Sequence, residues 1–307
     1  MIVVTGPNGN VGTELVKMLV GQTALAFRIA AHSPDKIAKL YGADAPAVKF
    51  DYGDRATWGP VLADATVLFL LFPLPHPRTA REWMVPFVEA AAAAGIRHIV
   101  YLSVPGADKT PVVPHYAVEK AILASGVPHT ILRAGFFAQN LCRDITTHAV
   151  DIAAHDEIYV PAGKGCTTFV DSRDVAEVAV KIMADPSIHA GQSYVLTGPE
   201  ALDYFQVAAL FTTERGRTIR YPRPSVPAFW WRVGPRVTWD TLFFMTIVYT
   251  LTRFGKNAPT TDTLPRLLGH PSRSMADFIH DYRDRFSGAD AAKAIKIKTP
   301  GVLKSMS

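Results

Sequence analysis

Cysteine is scarce: Cys142 and Cys166 are the two present in 307 residues. A pair that far apart, with no Cys/His spacing around it, excludes a disulfide framework and a structural zinc site. It fits a reducing, cytoplasmic compartment. Long apolar runs are lacking as well. The longest, residues 241–251, falls well short of the roughly 20 residues that span a bilayer. A secretory leader is not expected, because glycines stand at positions 6, 9 and 12, before an apolar h-region could form. Concentrated charge of one sign is also missing from the body of the chain. The net charge is +5, but after Asp290 the tail carries Lys293, Lys296, Lys298 and Lys304 and no acid; removing those four charges leaves the rest near +1. The tail reads as a solvated end, with an anchor as the alternative. With no second basic cluster, neither a nucleic acid nor a membrane is expected as a partner. His76, His129 and His148 show no ligand spacing, so no metal site is expected.

What is present is an alternation. Apolar runs at MIVVT, ALAFRIAA, AVKF, ATVLFLLF, HIVYLS and HTILRA read as strands, and helical stretches separate them. Val11, Leu15, Met18 and Leu19 mark one face of the first helix. The runs are continuously apolar, as strands covered on both faces are. The order predicts an α/β protein, a doubly wound parallel sheet with right-handed crossovers. Past Gly135 the rhythm changes. Short strands are predicted at EIYVP, TTFV, SYVLTG and TIRYP, and helices at RDVAEVAVKIM and DYFQVAALFTTE, the second with Asp203 as N-cap and Gln206 three residues on. From Ser225 the chain turns Pro- and Trp-rich and mostly helical. The expected organisation is a doubly wound α/β domain over residues 1–150, with residues 166–198 returning to it. A smaller, mostly helical substrate domain follows over 199–290, then a basic tail over 291–307.

The first strand runs into TGPNGNVG. Gly6 can make the tight turn out of the strand, Gly9 lets main chain approach a pyrophosphate, and Gly12 permits close helix–strand packing. The amides of Asn8, Gly9, Asn10 and Val11 would then meet the anion at the start of a helix. Three glycines alone say little; between a strand and an amphipathic helix they predict a nicotinamide dinucleotide. An acid ending the second strand would repel a 2′-phosphate. Here His32 and Ser33 stand at that point, with Lys36 a turn further on, so NADP(H) is favoured over NAD(H). Asp35 complicates this, although Ser33, Pro34 and Asp35 read as the first residues of a helix. Asp51 and Tyr52 end the third strand, where adenine is commonly bordered; an ordinary polar turn is the alternative.

By the sixth strand the chain resembles a known family. SGVPHTILRAGFFAQNL, TFVDSRDVAEVAVKIM, SYVLTGPEALDYFQVAAL and TDTLPRLLGHPSRSMADFIHDYRDRF are similar to segments of the NmrA-like proteins, atypical members of the short-chain dehydrogenase/reductase superfamily. The resemblance implies a Rossmann-type domain, a smaller C-terminal domain and a dinucleotide in the cleft between them. It does not imply one activity: the family holds NAD(P)H-dependent quinone and azo-type reductases, and regulators that bind the dinucleotide as a redox signal.

Between the fifth and sixth strands stand Ser103, Tyr116 thirteen positions later, and Lys120 four beyond that. This is close to the Ser, Tyr-x-x-x-Lys arrangement of catalytic short-chain dehydrogenases. Reduction of a carbonyl leaves an alkoxide that needs a proton donor in reach. A phenol serves at neutral pH once an ammonium stabilises its anion, and residues four apart share a helix face. Many family members keep a lysine or glutamate here without the tyrosine, and His115, Glu119 and Lys120 fit that pattern too. Lys120 is therefore expected to touch the cofactor whether or not Tyr116 is catalytic. Phe72, Pro73, Leu74 and Pro75 after the fourth strand lie where open sheets bind ligands, and the resemblance sets Gly135 and Phe136 beside the nicotinamide. Trp230, Trp231, Phe243, Phe244, Met245 and Tyr249 form either a helical core or an apolar wall for a flat substrate. Cys142 reads as a buried small hydrophobe. Three functions remain open: a reductase passing hydride to a carbonyl or quinone-type small molecule, a non-catalytic NAD(P)-sensing regulator, and a sugar-nucleotide epimerase. The last lacks an evident set of diphosphate-binding arginines. The oligomeric state is open, a homodimer included.

Overall fold

The computed structural model describes residues 1–21, 25–73, 76–143 and 146–287. Ten strands are present among them: β1 Ile2–Thr5, β2 Phe27–Ala31, β3 Ala47–Lys49, β4 Val67–Leu71, β5 His98–Ser103, β6 His129–Ala134, β7 Phe136–Phe137, β8 Thr167–Val170, β9 Gln192–Leu196 and β10 Ala201–Leu202. The helices are α1 Asn10–Val20, α2 Pro34–Tyr41, α3 Trp58–Leu62, and a turn α4 Pro77–Thr79 that continues through a π-helical stretch into α5 Val85–Ala93. Then come α6 Pro114–Ala124, α7 His148–His155, α8 Ser172–Ala184, α9 Tyr204–Arg215, α10 Val226–Val233, α11 Trp239–Arg253, α12 Thr263–Leu268 and α13 Met275–Asp281.

The chain forms two compact bodies. The first comprises Met1–Gly135, Ser172–Leu196 and Thr261–Ser272. Its seven-stranded sheet has the order β3-β2-β1-β4-β5-β6-β9, and every pairing is parallel. All six early strands expected from the sequence are there; Ala24, first in the ALAFRIAA run, lies outside the described residues. The reversal of strand order between β1 and β4 is a topological switch point, where such sheets bind ligands at their carboxyl edge. Val3, Leu68, Leu70, Ile99, Tyr101 and Ile131 are buried under α5 and α6 residues such as Phe87, Val88, Val118 and Ile122. Val11, Leu15 and Leu19 are the buried stripe of α1, as their spacing predicts.

The second body comprises Phe136–Asp171, Thr197–Thr260 and the chain from Arg273 onward. Its three-stranded sheet has the order β10-β8-β7. Asp203 caps α9, and both halves of its capping box with Gln206 are formed. The strands predicted at EIYVP and TIRYP are not formed. One bridge joins Glu157 to Arg220, and Ile158, Val160, Ile219 and Tyr221 instead turn into the core around Tyr204, Phe211 and Phe229. Pro161 and Pro222 follow these segments and cannot donate to a ladder, so local β-propensity yields to tertiary packing.

Candidate active site

In a parallel sheet the carboxyl ends of all strands lie along one edge. That edge of the first body therefore carries Gly6 after β1, His32 after β2, Phe72 after β4, Ser103 at the end of β5 and Gly135 after β6. The first turn is locked from beneath. The Thr5 hydroxyl donates to the Phe69 carbonyl at 3.0 Å and accepts from the Leu71 amide at 2.9 Å. Gly6 takes φ +65° over the Leu71 side chain, and a Cβ on it would stand 2.7 Å from Leu71 Cδ2. Gly12 touches backbone: its Cβ would fall 2.0 Å from the Gly6 carbonyl oxygen. The third glycine thus lets α1 close on the loop itself rather than on the strand. Pro7 is held through its carbonyl, which accepts from Thr13 Oγ1 at 3.2 Å and Tyr41 Oη at 3.4 Å.

Gly9 is different. It is the N-cap of α1 with φ −79° and ψ 172°, which any residue can adopt. A Cβ there would meet Gly6 O and Leu71 Cδ1 at an ordinary 3.4 Å. Neither backbone nor packing requires glycine at position 9. Gly9 precedes the first turn of an eleven-residue helix, where the dipole favours an anion, and its own amide donates to the Gly6 carbonyl at 3.1 Å.

At the next strand, Ser33 is the N-cap of α2 and Pro34 its first residue; Lys36 is exposed. The exposed His32 has Nε2 3.5 Å from Asp51 Oδ2. A cation that sequence reasoning missed stands beside it: Lys49 Nζ donates to the His32 carbonyl at 2.6 Å. Parallel register pairs Lys49 with Ala31, which brings the ammonium to the end of β2. Tyr52 is buried, edge-on to Phe50 and Phe87, and its hydroxyl donates to the Leu71 carbonyl at 2.9 Å.

Around β5 and α6 the expected residues separate into two groups. Ser103 is 2% exposed, and its hydroxyl donates to Glu119 Oε1 at 2.5 Å. Glu119 is also buried and accepts from Arg133 Nε at 3.1 Å and Nη2 at 2.7 Å. Tyr116 and Lys120 do come together, but through the ring: the ammonium lies 5.3 Å from the ring centroid, a cation–π contact. Tyr116 is partly exposed and Lys120 exposed. One turn away, Tyr101 Oη and His115 Nδ1 are hydrogen-bonded at 2.7 Å. Burial pushes the His115 imidazole down to about 4 and the Tyr101 phenol well up, so both are neutral. Phe72 sets its ring against His115 at 5.0 Å. Pro73 is exposed, and Leu74 and Pro75 lie outside the described residues.

The Glu119–Arg133 pair makes a direct stability test. Glu119→Ala would leave Arg133, its side chain 13% exposed, with Asp108 at 3.6 Å. Leaving a largely buried charge underpaired should cost about 3 kcal/mol in urea unfolding. Adding Arg133→Met should recover most of it, and an unchanged midpoint in Glu119→Ala would show the pair to be energetically idle.

In the second body Phe136 is half-buried, 5.6 Å from Phe169 and 6.2 Å from Tyr249. Tyr249 Oη meets His148 Nε2 at 2.7 Å in full burial. The aromatic group expected to be core or wall divides: Met245 and Tyr249 are buried, while Trp231, Phe243 and Phe244 are exposed. Cys142 is buried, its Sγ directed to the Gln139 carbonyl at 3.3 Å.

An open parallel sheet with a glycine-hinged loop at its switch point is a Rossmann-type fold. Comparison with known proteins agrees. The model of the NmrA-like family matches residues 1–231, and the chain belongs to that family. It is 29% identical over 294 residues to an NAD(P)H azoreductase of Xenophilus azovorans, covering 94% of this chain and all of that protein. The NADPH-dependent quinone oxidoreductase of Escherichia coli, solved with NADPH, superposes with a TM-score of 0.81 at 25% identity, covering 92% of this chain and 100% of that one. The negative transcriptional regulator NmrA, solved with NAD, shares the fold at a TM-score of 0.72 and 16% identity, over 94% of this chain and 97% of that one.

Proposed function

We propose that the protein is an NAD(P)H-dependent reductase, preferring NADP(H), that passes hydride to a quinone-type or carbonyl small molecule in the cytoplasm. The observation that carries this reading is Gly9, a glycine that the protein's own packing does not need. A diphosphate there would be held by main-chain amides of the loop and of the start of α1, among residues 8–12 other than Gly9, whose amide already donates to the Gly6 carbonyl. His32, Ser33, Lys36 and Lys49 would take the adenosine end, the lysines offering charge to a 2′-phosphate, with Asp51 and Tyr52 bordering the base. Phe72, Pro73, Lys120 and Gly135 would line the rest of the cofactor site in the first body, and the second body would serve as the substrate domain. When bound, a reduced nicotinamide supplies hydride.

Because the Ser103 hydroxyl is committed to Glu119, Ser103 acts by holding the α6 helix to β5, and proton delivery falls to Tyr116 and Lys120 or to water. The distinction depends on substrate. An alkoxide needs a positioned acid, whereas a hydroquinone oxygen can take its proton from solvent, and positioning alone can drive hydride transfer. Tyr116→Phe keeps the ring under Lys120. It should lower ketone reduction by about 10²–10⁴ and leave quinone reduction essentially unchanged. An unchanged ketone rate would remove Tyr116 from the chemistry.

The occupied Ser103 hydroxyl also favours a second reading, a dinucleotide-sensing regulator. Titration with NADPH and NADH, followed by turnover assays on quinones, azo dyes and ketones, separates the two. Tight binding without turnover across that panel would make the protein a sensor.

A further inference from the structure

The outward face of α11 is apolar where a surface helix is ordinarily polar. Leu242, Met245, Tyr249 and Thr252 are its buried side. On the other side Trp239, Phe243, Ile247 and Leu251 recur every four residues and are all exposed, with Phe244 beside them. No charged residue occurs between positions 241 and 252. The helix is about 22 Å long, so the stripe runs along most of one side of it. At its start the stripe joins α10: Trp230 packs edge-on to Trp239 at 5.3 Å, and Trp231, 87% exposed, lines with them an apolar notch of about 430 Å³. A contiguous patch of this kind marks an interaction surface.

We infer that this face rests on an anionic lipid surface. Exposed Trp and Phe in a plane suit the headgroup–acyl boundary, where an amphipathic helix lies flat. The charge pattern selects the occupant. Arg253 and Lys256 are exposed at the end of the stripe, with Asp240 the one acid near its start. The chain beyond Asp290 then adds four lysines and no acid. Those 17 residues span about 55 Å at full extension. A second copy docked on the same face would bring two such tails together, like charge against like. Anionic headgroups, as on the cytoplasmic leaflet, attract them. The lysine tail, a solvated end by sequence alone, becomes the second signal that a weak apolar contact needs.

The inference does not rest on the reductase reading, and its test needs no turnover. The full chain, mixed with phosphatidylcholine vesicles with or without phosphatidylglycerol, should cosediment with the anionic ones only, and release as ionic strength rises to about 0.5 M. Phe243→Ser with Phe244→Ser should weaken binding about tenfold or more. Lys293→Gln, Lys296→Gln, Lys298→Gln and Lys304→Gln together should do the same. Circular dichroism checks the folding of both variants. No binding to anionic vesicles, or binding unaffected by the lysine set, overturns the proposal. A dimer in light scattering that the Phe variants split, without vesicle binding, would assign the face to a second copy instead.

Discussion

Alanine at Gly12 should abolish dinucleotide binding and measurably destabilise the protein, whereas alanine at Gly9 should abolish binding alone. The two positions lie three residues apart in the same loop and differ in what a Cβ would meet. At Gly12 it would sit 2.0 Å from the Gly6 carbonyl oxygen and 2.9 Å from its carbon. Backbone cannot swing aside as a side chain does, so α1 must shift away from the loop. Overpacking of this kind costs about 3 kcal/mol. Expressed in an equilibrium constant, that is about a hundredfold. At Gly9 the added methyl has room in the protein, and the backbone lies in ordinary extended space. Stability should therefore stay within about 0.5 kcal/mol, while the methyl occupies the space that a diphosphate would take. Urea unfolding and calorimetric titration of both coenzymes would measure the two effects separately. Normal binding by Gly9→Ala would remove the diphosphate from the loop, and with it the proposed function.

Acidification should unfold the protein through its histidines before most carboxylates titrate. Burial pushes His115 and His148 down to about 4 in the folded state, against about 6.5 in an unfolded chain. Between those values the unfolded chain binds more protons than the folded one, so stability falls as pH falls. The contribution is intact above about pH 6.5 and lost by about pH 4. Each histidine accounts for roughly 3 kcal/mol, and the two together rival the entire stability of an ordinary domain. Their environments give the reason. His115 is enclosed by Tyr101 and Phe72, and His148 is pressed against Tyr249; neither place solvates a cation. Urea midpoints taken from pH 7.5 down to 4.5 would show the decline, and His148→Asn should flatten it by about one proton's worth. A level profile across that window would mean that the two sites open to water without global unfolding.

Much of the architecture was legible because the signals that set it are local. The six early strands are continuous apolar runs, α1 carries its stripe at helical spacing, and Asp203 with Gln206 closes a capping box that the sequence spells out. The three glycines of the first loop could be read for the same reason: turn, cap and helix start lie within seven residues. The failures at EIYVP and TIRYP show where that reasoning stops. Their residues favour strands, but Ile158, Val160, Ile219 and Tyr221 gain more from the core of the second body than from pairing.

The chemistry at the sheet edge was less visible. Spacing placed Ser103, Tyr116 and Lys120 in one group, and three-dimensional contact divided it, because the Ser103 hydroxyl donates to Glu119, sixteen residues away, whose carboxylate also accepts from Arg133, fourteen residues further on. Lys49 reached His32 through strand register, which no single segment encodes. The outward α11 stripe likewise appeared as apolar composition, and only burial showed which half was core. By itself the sequence determined the fold class, the glycine turn into α1 and the family, since each is written in a short window. The tertiary structure decided which polar groups are already spent and which apolar groups remain exposed, because both depend on neighbours that the chain brings together from far apart.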